Sequence, residues 1–203
     1  MAGRKQFDMD TALDAALVQF WRAGYAATSV DDLSRATGLN RSSIYSSLGD
    51  KDTVFLRCLD RYATRYGGRY DEALSCAAAE LPAAFRAFFG VTLDRIADPE
   101  LPDGCLIAQS AMAIPTLSPR VAAHTKEVLG FQYVRLHAAL KAGGLNDHDA
   151  GTFAVHVAAV NQSLAVMSRA GASPEQLLAI VGVTLDALSQ ASRAPGRPPV
   201  RSG

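Results

Sequence analysis

The stretch TGLNRSSIYSSLGDKD, residues 37–52, carries two stop-and-start signals in close succession. Gly38 closes one helix and Asn40 opens another; Leu48-Gly49-Asp50 then stops and restarts the chain again. The helix between them is about two turns long, a length that is marginal in isolation. Neighbouring helices must hold it, so the chain has to build a small packed unit around it. Something other than its own stability must also account for the exposed polar residues it carries.

The rest of the chain supplies helices for that purpose. Apolar residues recur at helical spacing almost throughout, and strictly alternating β-branched runs are missing, so the expected fold is all-α. With 49% hydrophobic residues the 203-residue chain can bury a substantial core. Leu13, Leu17, Phe20 and Trp21 share one face of a first helix expected to begin near Asp8 or Asp10 and to stop at Gly24. Ser29-Val30-Asp31-Asp32 has the form of a capping box, with an aspartate in place of the usual Glu or Gln, and opens a short second helix. Asn40 caps the third, where Ile44 and Leu48 face inward, and Asp50 caps a longer fourth with a weak point at Gly67-Gly68. Prolines and paired glycines divide the chain after residue 80 into five more helices, the last two being Asp147–Ala170 and Ser173–Ser192. The expected division is a compact three-helix domain over 1–52, a larger helical bundle over 53–193, and a disordered tail over 194–203.

Bulk properties narrow the function classes. Cys58, Cys76 and Cys105 are odd in number, widely spaced and without a C-x-x-C pair, which argues against a disulfide framework or a zinc site and fits a reducing cytoplasm. No secretory signal is read at the N-terminus, and Leu177–Leu185 and Ala154–Val160 read as too short or interrupted to span a bilayer, so no membrane partner is expected. Twenty basic residues balance 20 acidic ones, and within residues 1–60 seven basic residues face eight acidic ones. A nucleic-acid reading must therefore rest on where charges sit.

Three helices in about fifty residues, the second and third joined by a tight glycine turn, form a helix-turn-helix pattern. A recognition helix is presented outward so that its N-terminal residues reach base edges in the major groove. Ile44 and Leu48 would hold it to the bundle, leaving Arg41, Ser42, Ser43, Tyr45 and Ser46 for the groove. Arg41 is the expected reader of a guanine edge; Tyr45, Lys51, Thr28 and Ser29 are placed for phosphate, and Arg4 and Lys5 for an adjacent groove or backbone.

From Leu13 to Phe55, LDAALVQFWRAGYAATSVDDLSRATGLNRSSIYSSLGDKDTVF resembles the N-terminal pattern of the tetracycline-repressor-type transcriptional regulators. The Ala-Ala, Gly-Tyr, Thr-Ser-Val, Ala-x-x-x-Gly-Leu, the tyrosine of the recognition core and the lysine after the second turn all match. The family commonly has a glycine or small residue where Ser42 stands, histidines or similar groups at Ser46 and Ser47, and phenylalanine at Leu48. The resemblance covers about a quarter of the chain. It implies a homodimer that binds double-stranded operator DNA and whose C-terminal helices bind a small effector, here unidentified.

The remaining residues suggest where that effector and the partner copy would sit. A mostly apolar pocket lined by Phe85, Phe89, Cys105, Gln109, Met112, His124 and Phe131 is expected. In LPDGCLIAQS, Cys105 lies near the start of a helix expected to be capped by Asp103, where free amides favour a thiolate and the aspartate opposes it. Gly-Cys-Leu at this place also resembles a subgroup of the family with members that sense electrophiles or oxidants. Ala154, Ala158, Leu164, Leu178, Val181, Leu185 and Leu188 exceed what one face of a monomeric bundle uses and are expected at a dimer interface, giving a pseudo-palindromic operator. An enzyme is not expected: G-x-S-x-G, H-E-x-x-H and a phosphate loop are missing, and His124, His137, His148 and His156 lack metal-ligand spacing, so neither metal nor cofactor is called for. The alternatives are a dimeric scaffold whose helix-turn-helix no longer binds DNA, and a thiol-based sensor acting through Cys105.

Overall fold

The computed structural model describes residues 2–193, with side chains from residue 9 onward; the side chains of Arg4 and Lys5, and the tail 194–203, lie outside the described residues. Among those residues the elements are helical: α1 (Ala2–Ala27), α2 (Val30–Thr37), α3 (Arg41–Ser47), α4 (Lys51–Leu74), α5 (Leu81–Ala97), α6 (Leu106–Met112), a 3-10 turn (Ile114–Thr116), α7 (Pro119–Ala142), α8 (Asp147–Arg169) and α9 (Pro174–Arg193). The all-α expectation holds. Two boundaries move. Helix α1 begins at Ala2 rather than near Asp8, since good helix formers such as Ala2, Lys5 and Gln6 precede it without a proline. Its helical backbone breaks at Gly24 (φ 80°, ψ 166°), as the glycine led one to expect. Helix α4 runs unbroken through Gly67-Gly68. Each glycine costs about 1 kcal/mol against alanine, which burial of Tyr62, Tyr66, Tyr70 and Leu74 along the helix outweighs.

The chain divides into two compact units, which do not part at residue 52: Met1–Gly67 with Ile96–Phe131, and Gly68–Arg95 with Gln132–Gly203. In the first unit, Leu13, Leu17, Phe20 and Trp21 of α1 are buried together with Phe55, Leu59 and Tyr62 of α4. Phe20 meets Phe55 edge to face at 4.9 Å between centroids, and Trp21 meets Tyr62 at 5.0 Å. Across the same helix pair, Asp14 accepts a bidentate contact from Arg61 (2.8 and 2.7 Å) and a further bond from Arg65 (2.7 Å). Leu33 of α2 and Ile44 of α3 close the core, each about 1% exposed.

In the second unit, Phe85, Phe88 and Phe89 of α5 are completely buried, and α8 packs on α9. A polar trio lies in this interior. Thr92 Oγ1 donates to Asn161 Oδ1 (2.6 Å), Asn161 Nδ2 donates to Tyr70 Oη (3.5 Å), and Tyr70 Oη, by elimination, donates back to Thr92 Oγ1 (2.7 Å). Each member thus satisfies another, as burial requires.

This unit corrects two sequence expectations. Ala154, Leu164, Val181, Leu185 and Leu188, expected at a dimer interface, are buried in the protomer's own bundle; Ala158 is half-buried and Leu178 is exposed. The large apolar side chains left exposed on these helices are Val155, Val166 and Met167 on α8 and Leu178 and Val183 on α9. Both helices carry small and apolar residues around most of their circumference, so periodicity alone did not say which stripe faces in. For the same reason α8, at 23 residues, is long and apolar enough by length and composition to cross a membrane, contrary to the reading of Ala154–Val160. Here it buries one face, including Asn161, in the bundle.

Burial of the Asp14 carboxylate is partial, and the Arg61 hydrogen bond, with further help from the Arg61 and Arg65 charges, holds its pKa below the ordinary 3.8. A depressed carboxylate stabilises the fold above its unfolded pKa and loses that contribution as pH falls through the folded value. Asp14→Asn is therefore expected to lower the melting temperature at pH 7, with the gap to wild type closing below about pH 4 in thermal melts followed by circular dichroism.

Candidate nucleic-acid interface

The second helix is fixed at both ends by short polar side chains. Ser29 Oγ accepts from the Asp32 amide (3.2 Å), while Asp32 Oδ2 accepts from the Ser29 amide (2.8 Å) and hydroxyl (2.6 Å). Aspartate is thus long enough to close the box. Beyond Gly38, Ser34 Oγ donates to the Leu39 carbonyl (2.6 Å) and the Leu39 amide donates to Thr37 Oγ1 (3.2 Å), which sets the turn into α3. Asn40 Oδ1 then accepts from the Ser43 amide at 2.8 Å and starts α3.

Helix α3 ends because the backbone reverses at Gly49, whose φ is 101°. A Cβ at Gly49 would stand 2.9 Å from the Thr53 side chain, so both conformation and space favour glycine. Asp50 Oδ1 accepts from the Thr53 amide (2.8 Å) and opens α4. Between these ends, Ile44 and Leu48 are about 1% and 2% exposed, one turn apart on the inner face. Arg41, Ser42, Tyr45 and Ser46 lie on the exposed side, and Ser43 is half-buried with its amide bound to the cap. The expected division of α3 into an anchoring face and a presented face is what the structure has.

The flanking candidates fare unevenly. Thr28 is completely buried, its hydroxyl donating to the Gly24 carbonyl at 2.7 Å, so its side chain has no outer surface to offer a phosphate. Ser29 is exposed, but its hydroxyl is engaged with Asp32. Lys51 is half-buried at the start of α4, with its ammonium 4.3 Å from the centre of the Tyr25 ring; burial lowers its pKa from the ordinary lysine value. Tyr25 in turn donates to Asp52, and burial, reinforced by that carboxylate, pushes the phenol up to about 12. Asp52 also accepts from Ser118 Oγ at 2.5 Å, and Arg120 donates to Thr53 Oγ1 at 3.0 Å. The end of α1, the start of α4 and the start of α7 are thereby tied at one carboxylate.

Arg41 is not free in solution. Its Nε donates to Asp31 Oδ1 at 2.5 Å and its Nη2 donates to Asp31 Oδ2, with both side chains exposed. The bond to Arg41 holds the Asp31 carboxyl below the usual carboxylate range. Asp31, Ser34, Thr37, Asp52 and Ser118 were all missed in the sequence. Ser34 and Thr37 have a weak local signal, two hydroxyls just before a glycine turn; Asp31 and Asp52 act across helices and have none.

The expected effector residues do not gather in one unit. Phe85 and Phe89 belong to the second unit and pack on Phe88; the other five belong to the first. There, Met112 and Phe131 are 68% and 51% exposed, so neither lines an enclosed cavity in that unit. Gln109 Nε2 donates to the Phe20 and Trp21 carbonyls (3.2 and 2.8 Å), which ties α6 to α1. His124 Nε2 lies 2.6 Å from Asp60 and its Nδ1 lies 3.2 Å from Glu127. Cys105 is half-buried and is itself the N-cap of α6, so Asp103 is not; Tyr62 Oη donates to its Sγ at 3.3 Å.

Comparison with known proteins agrees with this geometry. Residues 12–58 match the model of the bacterial regulatory proteins of the tetR family. The chain is 30% identical over 186 residues to the HTH-type transcriptional repressor ComR of Escherichia coli K12, covering 89% of each protein. It is 28% identical over 194 residues to the HTH-type transcriptional regulator YezE of Bacillus subtilis 168, covering 93% of this chain and 100% of that one. Among solved structures, a cysteine mutant of the TetR family regulator CifR complexed with 26-bp double-strand operator DNA superposes with a TM-score of 0.78 at 26% identity, over 88% of this chain and 95% of that one. The chain belongs to the tetR family of bacterial regulatory proteins and is a DNA-binding transcriptional regulator.

Proposed function

We propose that this regulator is a cytoplasmic, ligand-responsive repressor that binds a pseudo-palindromic operator as a homodimer and catalyses no reaction of its own. The observation that carries the reading is α3, anchored through Ile44 and Leu48 while Arg41, Ser42, Tyr45 and Ser46 face outward. ComR is a repressor by name, and CifR was solved on operator DNA; both are similar to this chain over most of its length. Residues 1–52 are assigned to DNA and 53–193 to dimerisation and effector recognition. Arg41, Ser42, Ser43, Tyr45, Ser46 and Lys51 are the proposed DNA contacts, with Ser29 offering its helix terminus and Arg4 and Lys5 standing in the first turn of α1. Thr28 is left out. Effector binding would favour one separation of the two recognition helices over another, by no more than its differential affinity for the two states.

The dimer is proposed to form through the apolar side chains that the bundle leaves exposed. Val155 and Val166 are 60% and 45% exposed, and their spacing puts them three turns apart on one face of α8; Val183 of α9 is 72% exposed. A two-fold interface centred on them would cover apolar surface that a monomer leaves in water.

A second reading, thiol sensing, rests on Cys105. Tyr62 donates to its sulfur, and its position as N-cap places Sγ at a helix terminus. Cys58, by contrast, is fully buried, with its thiol pKa pushed up by that burial. In native protein treated with mild peroxide, intact-mass and peptide mass spectrometry is expected to find Cys105 oxidised and Cys58 untouched; an unmodified Cys105 ends this reading.

DNA binding is tested by titrating the full chain against its own upstream DNA at several salt concentrations. Tight, sequence-selective binding with a steep negative salt slope is expected. Lys51→Ala should reduce the magnitude of that slope by about 1, and Arg41→Ala should cost about 1–3 kcal/mol and relax preference at one base pair. Equal, weak binding to every duplex would favour a scaffold. For the dimer, Val155→Glu combined with Val183→Glu is expected to give folded monomers in sedimentation velocity, with loss of tight operator binding.

A further inference from the structure

The contact between Asp31 and Arg41 joins the first turn of α2 to the first residue of α3. Both side chains are exposed, about 50% and 65%, where a salt bridge contributes little to stability. Its geometry is nonetheless definite. A guanidinium has five N–H donors on a rigid plane, arranged so that two different edges can each meet a pair of acceptors. Asp31 occupies the edge formed by Nε and Nη2. Both N–H groups of Nη1 and the second of Nη2 remain, and one from each nitrogen points away from the side chain to form the end-on edge.

We propose that Asp31 is a specificity-determining residue, which grips one edge of Arg41 and leaves the end-on edge to read the O6 and N7 acceptors of a guanine. The inference rests on the DNA-binding reading given above and adds to it how the reading arginine is aimed. Guanine is the base whose major-groove edge presents two acceptors side by side; adenine offers an acceptor beside a donor, and thymine an acceptor beside a methyl group. An arginine held end-on therefore discriminates by geometry. An unheld arginine has many rotamers and can turn to any phosphate.

The carboxylate contributes in a second way. Its charge lies against the guanidinium and makes Arg41 a poorer partner for a phosphate, so affinity for arbitrary duplexes falls while the guanine contact, which uses other N–H groups, is kept. The supports on either side are rigid. The Ser29–Asp32 box and buried Leu33 fix α2; the Asn40 cap and buried Ile44 fix α3. Arg35, the nearest other cation on α2, is engaged with Asp32 rather than with Asp31.

The test uses a duplex selected from a random-sequence pool by the full-length wild-type protein, together with a copy in which the guanine whose substitution is silent in Arg41→Ala is replaced by adenine, and a scrambled duplex. Affinities are measured for wild type, Asp31→Asn, Arg41→Ala and the double variant, with Asp31→Ser as a second replacement. The expected result is that either Asp31 replacement lowers the guanine-over-adenine affinity ratio by about fivefold or more. Binding to the scrambled duplex is expected to stay level or rise, the ratio to show no further change in the Arg41→Ala background, and the thermal melt to match wild type. An unchanged ratio, an equal gain or loss on all three duplexes, or the same Asp31 effect without Arg41 overturns the proposal while leaving the DNA-binding reading in place. A wild-type protein that selects no sequence overturns both.

Discussion

Two side chains hold the part of the molecule that faces outward. Helix α3 has seven residues, far below the length at which a helix persists on its own, and Ile44 with Leu48 supplies its buried contacts. Each burial is worth about 1.5–3 kcal/mol against exposure, enough to offset the cost of ordering so short a segment when both caps are also made. The opposite face is then released from any duty in folding. Arg41, Ser42, Tyr45 and Ser46 can be set by what they recognise, because none of their side chains is part of the buried core.

That anchoring works because the surface receiving it is stiff. Phe20, Trp21, Phe55 and Tyr62 interlock α1 with α4, and the Asp14 cluster clamps the same pair from outside. At the turn into α4, one carboxylate gathers three segments: Asp52 takes a phenol from the end of α1 and a hydroxyl from the start of α7. A shift of α7's first turn therefore meets resistance at the carboxylate that also holds the end of α1. Gln109 gives α6 a similar hold on the last carbonyls of α1. Two contacts from sequence-distant helices thus converge on the head, each made by a polar side chain with a directional bond.

Features set by neighbours in the chain were legible, and features set across helices were not. The capping box at Ser29, the cap at Asn40, the stop at Gly49 and the inward pair Ile44 and Leu48 all depend on residues within about four positions, where spacing and side-chain chemistry carry the information. Thr28 was misplaced because a hydroxyl at a helix entrance looks alike whether it faces solvent or folds back onto the Gly24 carbonyl. The apolar residues of α8 and α9 were found, but five of the seven expected at a dimer interface turn into the protomer's own bundle, since both sides are apolar and only packing decides which is inward. Of the residues expected to line an effector pocket, Gln109 and His124 are polar groups that a ligand could use, but backbone carbonyls and nearby carboxylates engage them, which their local sequence does not announce. Asp31 could not be seen at all, because ten residues and a turn separate it from the arginine it holds.

The ring of hydrogen bonds among Tyr70, Thr92 and Asn161 bears on how α4, α5 and α8 are aligned within the second unit. A purely greasy interior tolerates sliding, since one methyl group substitutes readily for another. Here a slip of α8 by a single position would strand an amide, a phenol and an alcohol in a dry place, so the closed ring serves as a detent that admits one setting. The valines on the outer side of α8 inherit that setting: whatever meets them encounters a surface whose axial position has already been chosen by three polar atoms on the other side of the helix.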